Sequence, residues 1–174
     1  HTDTLLETAQ NLLEVHPDAK FLIPATNDKN VHFIKGRIRN NPTKNLKLIK
    51  GKVDEILSSS NIAIAASGTA SLQIALHKKP MIIIYKGSWI SYFIWKMVRL
   101  IPNVSLPNIL LNENFVPEML QHRATPNLLS EKACKIINDK KYLKKIEFKF
   151  NRLHKDLKKN TSSLIFKIIK PYLK

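Results

Sequence analysis

The triplet Ser67-Gly68-Thr69 follows the apolar run Asn61–Ala66 and opens a helical pattern. A glycine lets backbone come close to a ligand. Two hydroxyls beside the free N–H groups of a helix start can hold phosphate oxygens. The same residue types are also ordinary helix caps. A second polar word, Ser105-Leu106-Pro107-Asn108, comes two elements later. The Asn108 amide both donates and accepts, which suits a nucleobase edge or a sugar hydroxyl; a turn asparagine beside proline needs no ligand. Loops at the carboxyl ends of strands bind ligands in open α/β sheets. The two words together point to a site for a phosphorylated small molecule. Glu113 and Glu118 are candidate acids or bases, with surface or capping roles as the alternative. Glu118 is expected in the first turn of a helix Val116–Gln121, where its charge complements the dipole.

Other chemistry is not legible. His1, His16, His32, His77, His122 and His154 are scattered without metal-ligand spacing. There is no Walker loop and no Gly-x-Ser-x-Gly elbow. No metal or cofactor is expected. Cys134 is the single cysteine, so no internal disulfide can form, which suits a reducing compartment.

Trp89, Tyr92, Phe93 and Trp95 crowd one short stretch with Lys86, Lys96 and Arg99. Aromatic rings among basic residues favour the membrane–water boundary and anionic head groups. Some of these rings could instead face a core. No apolar run reaches the length of a membrane-spanning helix, since Lys96 and Arg99 break the nearest one.

The elements that must position these residues alternate. Thr4-Leu5-Leu6-Glu7 reads as a capping box opening a helix, with Leu5, Leu6, Ala9, Leu12 and Leu13 on one face. Lys20–Ile23 is a strand closed by Pro24, Asp28–Arg39 a helix, Leu46–Ile49 a strand and Val53–Leu57 a short helix. Asn61–Ala66 has the uninterrupted apolar pattern of a central parallel strand covered on both faces. Gly68–His77 is a helix, Met81–Tyr85 a buried strand and Ile90–Leu100 an amphipathic helix. Val104–Ile109 passes through the Ser-Leu-Pro-Asn turn. Val116–Gln121 is expected to be helical, with Pro117 in its first turn. Thr125-Pro126 starts a helix reaching about Asn138. This alternation predicts an α/β fold with a parallel sheet and crossover helices. A chain of this pattern that opens on a helix is expected to have lost its first strand. It begins with His1 rather than Met, nothing at its start resembles a signal peptide, and an excised or processed segment is expected.

The chain has 174 residues and a formal charge of +16. Twelve Lys or Arg against three acids place +9 of it in residues 139–174. Two regions are expected: an α/β domain, 1–138, with a site for a phosphorylated small molecule, and a basic helical tail, 139–174. In the tail, Leu143, Ile146, Phe150, Leu153 and Leu157 keep helical spacing. It could pack back on a second domain, meet a second subunit in a homodimer, or hold anionic lipid. Lys, Asn and Ile are also abundant throughout, as drift toward AT-rich codons would produce.

The succession ASGTASLQIAL, KPMIIIYK, VSLPNILLNENFVPEMLQ and ATPNLL resembles the lipid-A-disaccharide synthases. The likeness covers most of residues 1–138 and is strongest from Ala65 to Leu129. It implies one half of a glycosyltransferase of the GT-B type, two Rossmann-like domains facing a cleft, with no metal required. It further implies an inverting reaction joining UDP-2,3-diacylglucosamine to 2,3-diacylglucosamine 1-phosphate, at the cytoplasmic face of the bacterial inner membrane. This chain is similar to the carboxyl-terminal, UDP-holding half. By resemblance, Ser67, Gly68 and Thr69 fall at the diphosphate, Asn108 at the nucleotide, and Glu118 and Gln121 at the cleft rim. Tyr85 closes the strand before the aromatic helix, and that helix suits acylated substrates. Gln73 stands where the family usually has Glu; it can still hydrogen-bond a ribose hydroxyl, without charge assistance. The family's Gly-Ser-Arg word and its amino-terminal half, with the proposed catalytic base, would lie upstream of His1. The chain alone is therefore expected to be inactive.

Two other readings compete. Another GT-B nucleotide-sugar transferase, or half of a UDP-N-acetylglucosamine epimerase, would share the architecture. A basic nucleic-acid-binding domain would explain the charge, but no reader helix or aromatic RNA motif is visible, so nucleic acid is not expected as a partner.

Overall fold

The computed structural model describes residues 1–87, 103–158, 165, 166, 169 and 170. Five strands, parallel within each sheet, alternate with helices: α1 (Thr2–Val15), β1 (Phe21–Ala25), α2 (Asp28–Asn40), β2 (Leu46–Lys50), α3 (Val53–Ser59), β3 (Ala63–Ala66), α4 (Thr69–Leu76) and β4 (Met81–Tyr85). Then follow α5 (Leu106–Leu111), β5 (Glu118–Leu120), a 3-10 turn (Gln121–Arg123), α6 (Pro126–Asn138) and α7 (Lys140–Leu157). The fold is Rossmann-like α/β, as half of a GT-B enzyme would be. The expected parallel sheet is divided in two: β1 pairs with β2, and β3, β4 and β5 pair in that order.

β4 shows why the division into faces works. Met81, Ile82, Ile83 and Ile84 are each 0% exposed. Side chains alternate across a strand, so Met81 and Ile83 enter one core with Ile74, Ala75, Phe115, Ile146, Phe150 and Leu153. Ile82 and Ile84 enter the other with Leu12, Met119, Ala124, Leu129, Ala133 and Ile136. Helices cover both faces, so no position of the strand can be polar. α7 belongs to the first of these cores: Ile146, Phe150 and Leu153 are buried, and the Phe150 ring meets Phe115 edge-on at 5.7 Å. Leu143 is partly buried against the second core, and Leu157 is 42% exposed.

Four local expectations change. Thr4 lies inside α1, whose cap position is His1 and carries no side-chain hydrogen bond, so there is no capping box; the Thr8 hydroxyl donates to the Thr4 carbonyl instead. Pro24 is within β1, paired with Ile49, rather than ending it. Ser105-Leu106-Pro107-Asn108 is not a loop but the start of α5, with Ser105 at the cap position and Pro107 in the first turn. Val116–Gln121 is not a helix: Glu118–Leu120 is a strand beside β4, and only the 3-10 turn from Gln121 follows. A proline and an acid that resemble a helix start serve here as entry to a strand, because pairing with Ile83, Ile84 and Tyr85 outweighs local preference.

Candidate functional site

The carboxyl ends of β3, β4 and β5 lie along one edge of their sheet because the three strands are parallel. After β3 comes Ser67, then Gly68 with φ 141° and ψ −161°, a conformation open only to glycine. Gly68 occupies the cap position of α4, and no side chain caps this helix. Gly68, Thr69 and Ala70 are exposed. The first turn of α4 thus presents backbone N–H groups to solvent with the positive end of the helix dipole behind them.

Next to it stands a buried polar hub. The Ser67 hydroxyl donates to the Val104 carbonyl at 2.7 Å. The Leu106 N–H donates to the Ser71 hydroxyl at 3.3 Å, which ties the start of α5 to the start of α4. The Glu118 carboxylate, reaching from β5, accepts from the N–H groups of Val104 and Ser105, from the Ser105 hydroxyl and from the Asn108 amide. It complements a helix N-terminus, as its charge suggested, but that of α5 rather than of a helix containing it. Asn108 is 0% exposed. Its amide nitrogen donates to the Val116 carbonyl and to Glu118; its oxygen accepts from the Phe115 and Val116 N–H groups. All four hydrogen-bonding positions of the amide are used. Asn108 therefore fixes the approach to β5 and has no face left for a ligand.

Gln121, directly after β5, has φ 48°, a left-handed conformation that costs a non-glycine residue on the order of 1 kcal/mol. It is 7% exposed. Its Oε1 accepts from the Gly87 N–H at 3.3 Å, and its Nε2 is buried without a partner among the described residues. A Cβ on Gly87 would lie 2.8 Å from the Tyr85 hydroxyl, so a larger residue there would require the exposed Tyr85 ring to shift.

Gln73 turns away from this group. Its Nε2 donates to Asp54 at 3.0 Å, and His77 meets the same carboxylate oxygen at 2.9 Å. These two contacts, the histidine first, hold the Asp54 carboxyl below its ordinary range. Glu113 is bound by Lys149 on α7, which lowers its pKa in the same way. Tyr142 donates to the Phe115 carbonyl at 3.0 Å, and burial pushes its phenol far up.

The structure thus joins Ser67, Asn108 and Glu118 in one network, sets Gly68 and Thr69 beside it, and puts Gln121 along the same sheet edge. Ser71, Val104 and Gly87 were not singled out in the sequence, and Ser105 stood there only as part of the Ser-Leu-Pro-Asn word. Ser105 and Ser71 look like routine helix-start residues, and nothing in their spacing shows that they meet. Trp89, Tyr92, Phe93, Trp95, Lys96 and Arg99 lie outside the described residues. Among the described residues no cluster of His, Cys, Asp or Glu could hold a metal ion, and no helix is long and apolar enough to cross a membrane.

The family model described as lipid-A-disaccharide synthetase matches residues 1–169. The lipid-A-disaccharide synthase of Aromatoleum aromaticum is 36% identical over 173 residues, 98% of this chain and 44% of that protein. The one from Methylobacillus flagellatus is 33% identical over 99% of this chain and 46% of that protein. The Haemophilus influenzae Rd enzyme is 37% identical over 79% of this chain and 35% of that protein. The chain spans less than half the length of these relatives, and it belongs to the lipid-A-disaccharide synthetase family.

Proposed function

We propose that this chain is the UDP-sugar-binding half of an inverting glycosyltransferase that joins UDP-2,3-diacylglucosamine to 2,3-diacylglucosamine 1-phosphate. The uncapped first turn of α4 receives the diphosphate. Gly68 admits it, the Thr69 hydroxyl adds a hydrogen bond, and Ser67 anchors the turn through Val104. Gln121 receives the nucleoside or sugar side, using the Nε2 that no described group satisfies. The two points are separated by β4, two strand spacings or about 10 Å, which a nucleoside diphosphate spans. Asn108 and Glu118 act as positioning residues, holding α5 and β5 in register beneath the site. Gln73, engaged by Asp54, braces α4 from behind.

The observation that carries this reading is the buried, unpartnered Gln121 amide on the sheet edge that also bears an uncapped helix N-terminus. A buried donor without an acceptor costs about 1–3 kcal/mol, and a bound ligand would recover it. By resemblance the catalytic base belongs to the amino-terminal half, and an inverting displacement needs a base close to the acceptor hydroxyl, so turnover on this reading needs both halves. The whole enzyme works as a peripheral protein at the cytoplasmic face of the inner membrane. Phe148, 72% exposed on the Lys-rich helix α7, supports contact with anionic lipid.

Calorimetry with UDP tests the reading. The chain binds UDP weakly by itself and more tightly when the amino-terminal half is supplied. Gln121→Met weakens binding about tenfold, the loss of one well-made hydrogen bond in a dry site. Absence of UDP binding even with both halves present would overturn the proposal.

A further inference from the structure

In the sequence Lys86 stands beside the aromatic stretch and reads as part of a membrane-facing group. The fold gives it another setting. β4 ends at Tyr85, and Lys86 and Gly87 carry the chain onward between the ends of β3 and β5. The neighbouring chains stay alongside: the Ser67 N–H donates to the Ile84 carbonyl at 3.0 Å, and the Gly87 N–H donates to the Gln121 Oε1 at 3.3 Å. Ala66 is paired with Ile84, so two residues on, Gly68 comes abreast of Lys86. Tyr85 is paired with Leu120, so Gln121 comes abreast of Lys86 on the other side. Lys86 therefore stands in the middle of a row whose ends are the uncapped turn of α4 and the unpartnered amide, about 5 Å of strand spacing from each. Side chains alternate along β4, which sends Lys86 to the face of Ile82 and Ile84, where Leu12 of α1 also packs. Its exposed stem reaches α1, and its ammonium donates to the Thr4 hydroxyl at 3.0 Å. That partner is neutral, and among the described residues no carboxylate pairs with Lys86.

Resting on the sugar-nucleotide reading of this edge, the geometry points to Lys86 as the cation that neutralises the bound diphosphate. A diphosphate brings several negative charges. The first turn of α4 answers with N–H groups and about half a unit of positive charge, and the Thr69 hydroxyl is neutral. A full countercharge must come from elsewhere, and Lys86 is the one residue in the row Gly68, Lys86, Gln121 that carries it. Arg123, further along the chain, lines a separate cavity with Lys132 and Lys135, to which β4 contributes no residue. A cation beside the positive pole of a helix is disfavoured on its own. A diphosphate lying between the two turns that repulsion into two attractions, and a hydrogen bond from an ammonium to a phosphate oxygen is about twice as strong as a neutral one. The flexible four-carbon stem lets the ammonium turn from Thr4 to a phosphate held over Gly68. Thr4 thus keeps the charge at the edge of the site without cancelling it. The Gly87–Gln121 hydrogen bond fixes the backbone just past Lys86, so the lysine and the nucleoside-side amide are set by the same turn.

Calorimetry with UDP tests the assignment on the chain 1–174 with the amino-terminal half supplied. Lys86→Met should weaken UDP binding about tenfold or more, the loss of a charge-assisted hydrogen bond. Lys86→Arg, which keeps the charge, should restore most of the affinity. The gap between wild type and Lys86→Met should narrow at about 1 M salt, where charges are screened within about 3 Å. Thr4→Val separates a binding role from a bracing one: it removes the contact between Lys86 and α1 and should change UDP affinity less than about threefold. Circular dichroism of each variant checks that the fold is kept. Three results would overturn the inference while leaving the site reading intact: UDP affinity unchanged in Lys86→Met although Gln121→Met weakens it; a loss in Lys86→Arg as large as in Lys86→Met; or a loss in Thr4→Val as large as in Lys86→Met, which would make the lysine a brace for α1. Absence of UDP binding by the wild type would overturn the site reading itself, and the role of Lys86 with it.

Discussion

The half-sheet β3-β4-β5 and the half-sheet β1-β2 have similar sequence patterns and different fates. β4 is sealed by helices on both faces, and the four residues Met81–Ile84 are fully buried. β1 has one buried position, Ala25, and α2, which lies against this pair of strands, buries none of its residues. Alternating apolar strands and helices are enough to specify parallel pairing, but stability comes from closure. A strand contributes fully only when something covers both its faces and both its edges. The β1-β2 pair is held by one ladder and by the partial cover of α2 and α3, so its contribution is smaller.

Substitutions on matched strands measure that contrast. Ile83→Ala, in the core with Phe150 and Leu153, should cost about 2–5 kcal/mol in chemical unfolding, as large-to-small changes in packed cores do. Asn108→Ala comes next. It leaves the Phe115 and Val116 N–H groups without their acceptor, and a loss on the order of 2–3 kcal/mol should appear as a lower Tm. Ile23→Ala, half-buried in β1, should cost about 1 kcal/mol or less. A cost equal to that of Ile83→Ala would break the comparison outright. The smallest effect is electrostatic. Glu113 has its pKa lowered, first by Lys149. A depressed carboxylate adds stability above its unfolded pKa, and that stability is lost as pH falls through the folded value. Wild type and Glu113→Gln should therefore differ in Tm at neutral pH and converge below about pH 4.5, the ordinary glutamate value.

The sequence displayed the order of elements well, because apolar runs such as Met81–Tyr85 and amphipathic stretches such as Pro126–Asn138 carry their period openly. The Ser67-Gly68-Thr69 turn was visible for the same reason: it sits where an uninterrupted apolar run gives way to a helical period. What stayed hidden depends on partners distant in the chain. Val116–Gln121 looked helical because Pro117 and Glu118 resemble a helix start; its strand exists only beside β4. Asn108 looked like a ligand contact because its amide is versatile, and in the fold the same versatility serves the backbone of Phe115 and Val116. Asn61–Ala66 looked central, and among the described residues β3 is the edge of its half-sheet. The role of Gln121 rested on resemblance alone, and its positive φ and orphaned amide are features that only coordinates reveal.

Glu118 binds four donors contributed by Val104, Ser105 and Asn108. These residues form a single unit of inheritance. A change at position 118 strands donors at three other sites, so neutral drift must alter the group together or leave it intact. Recombination that joined α5 from one relative to β5 from another would succeed only when both parents carry the same acid and amide.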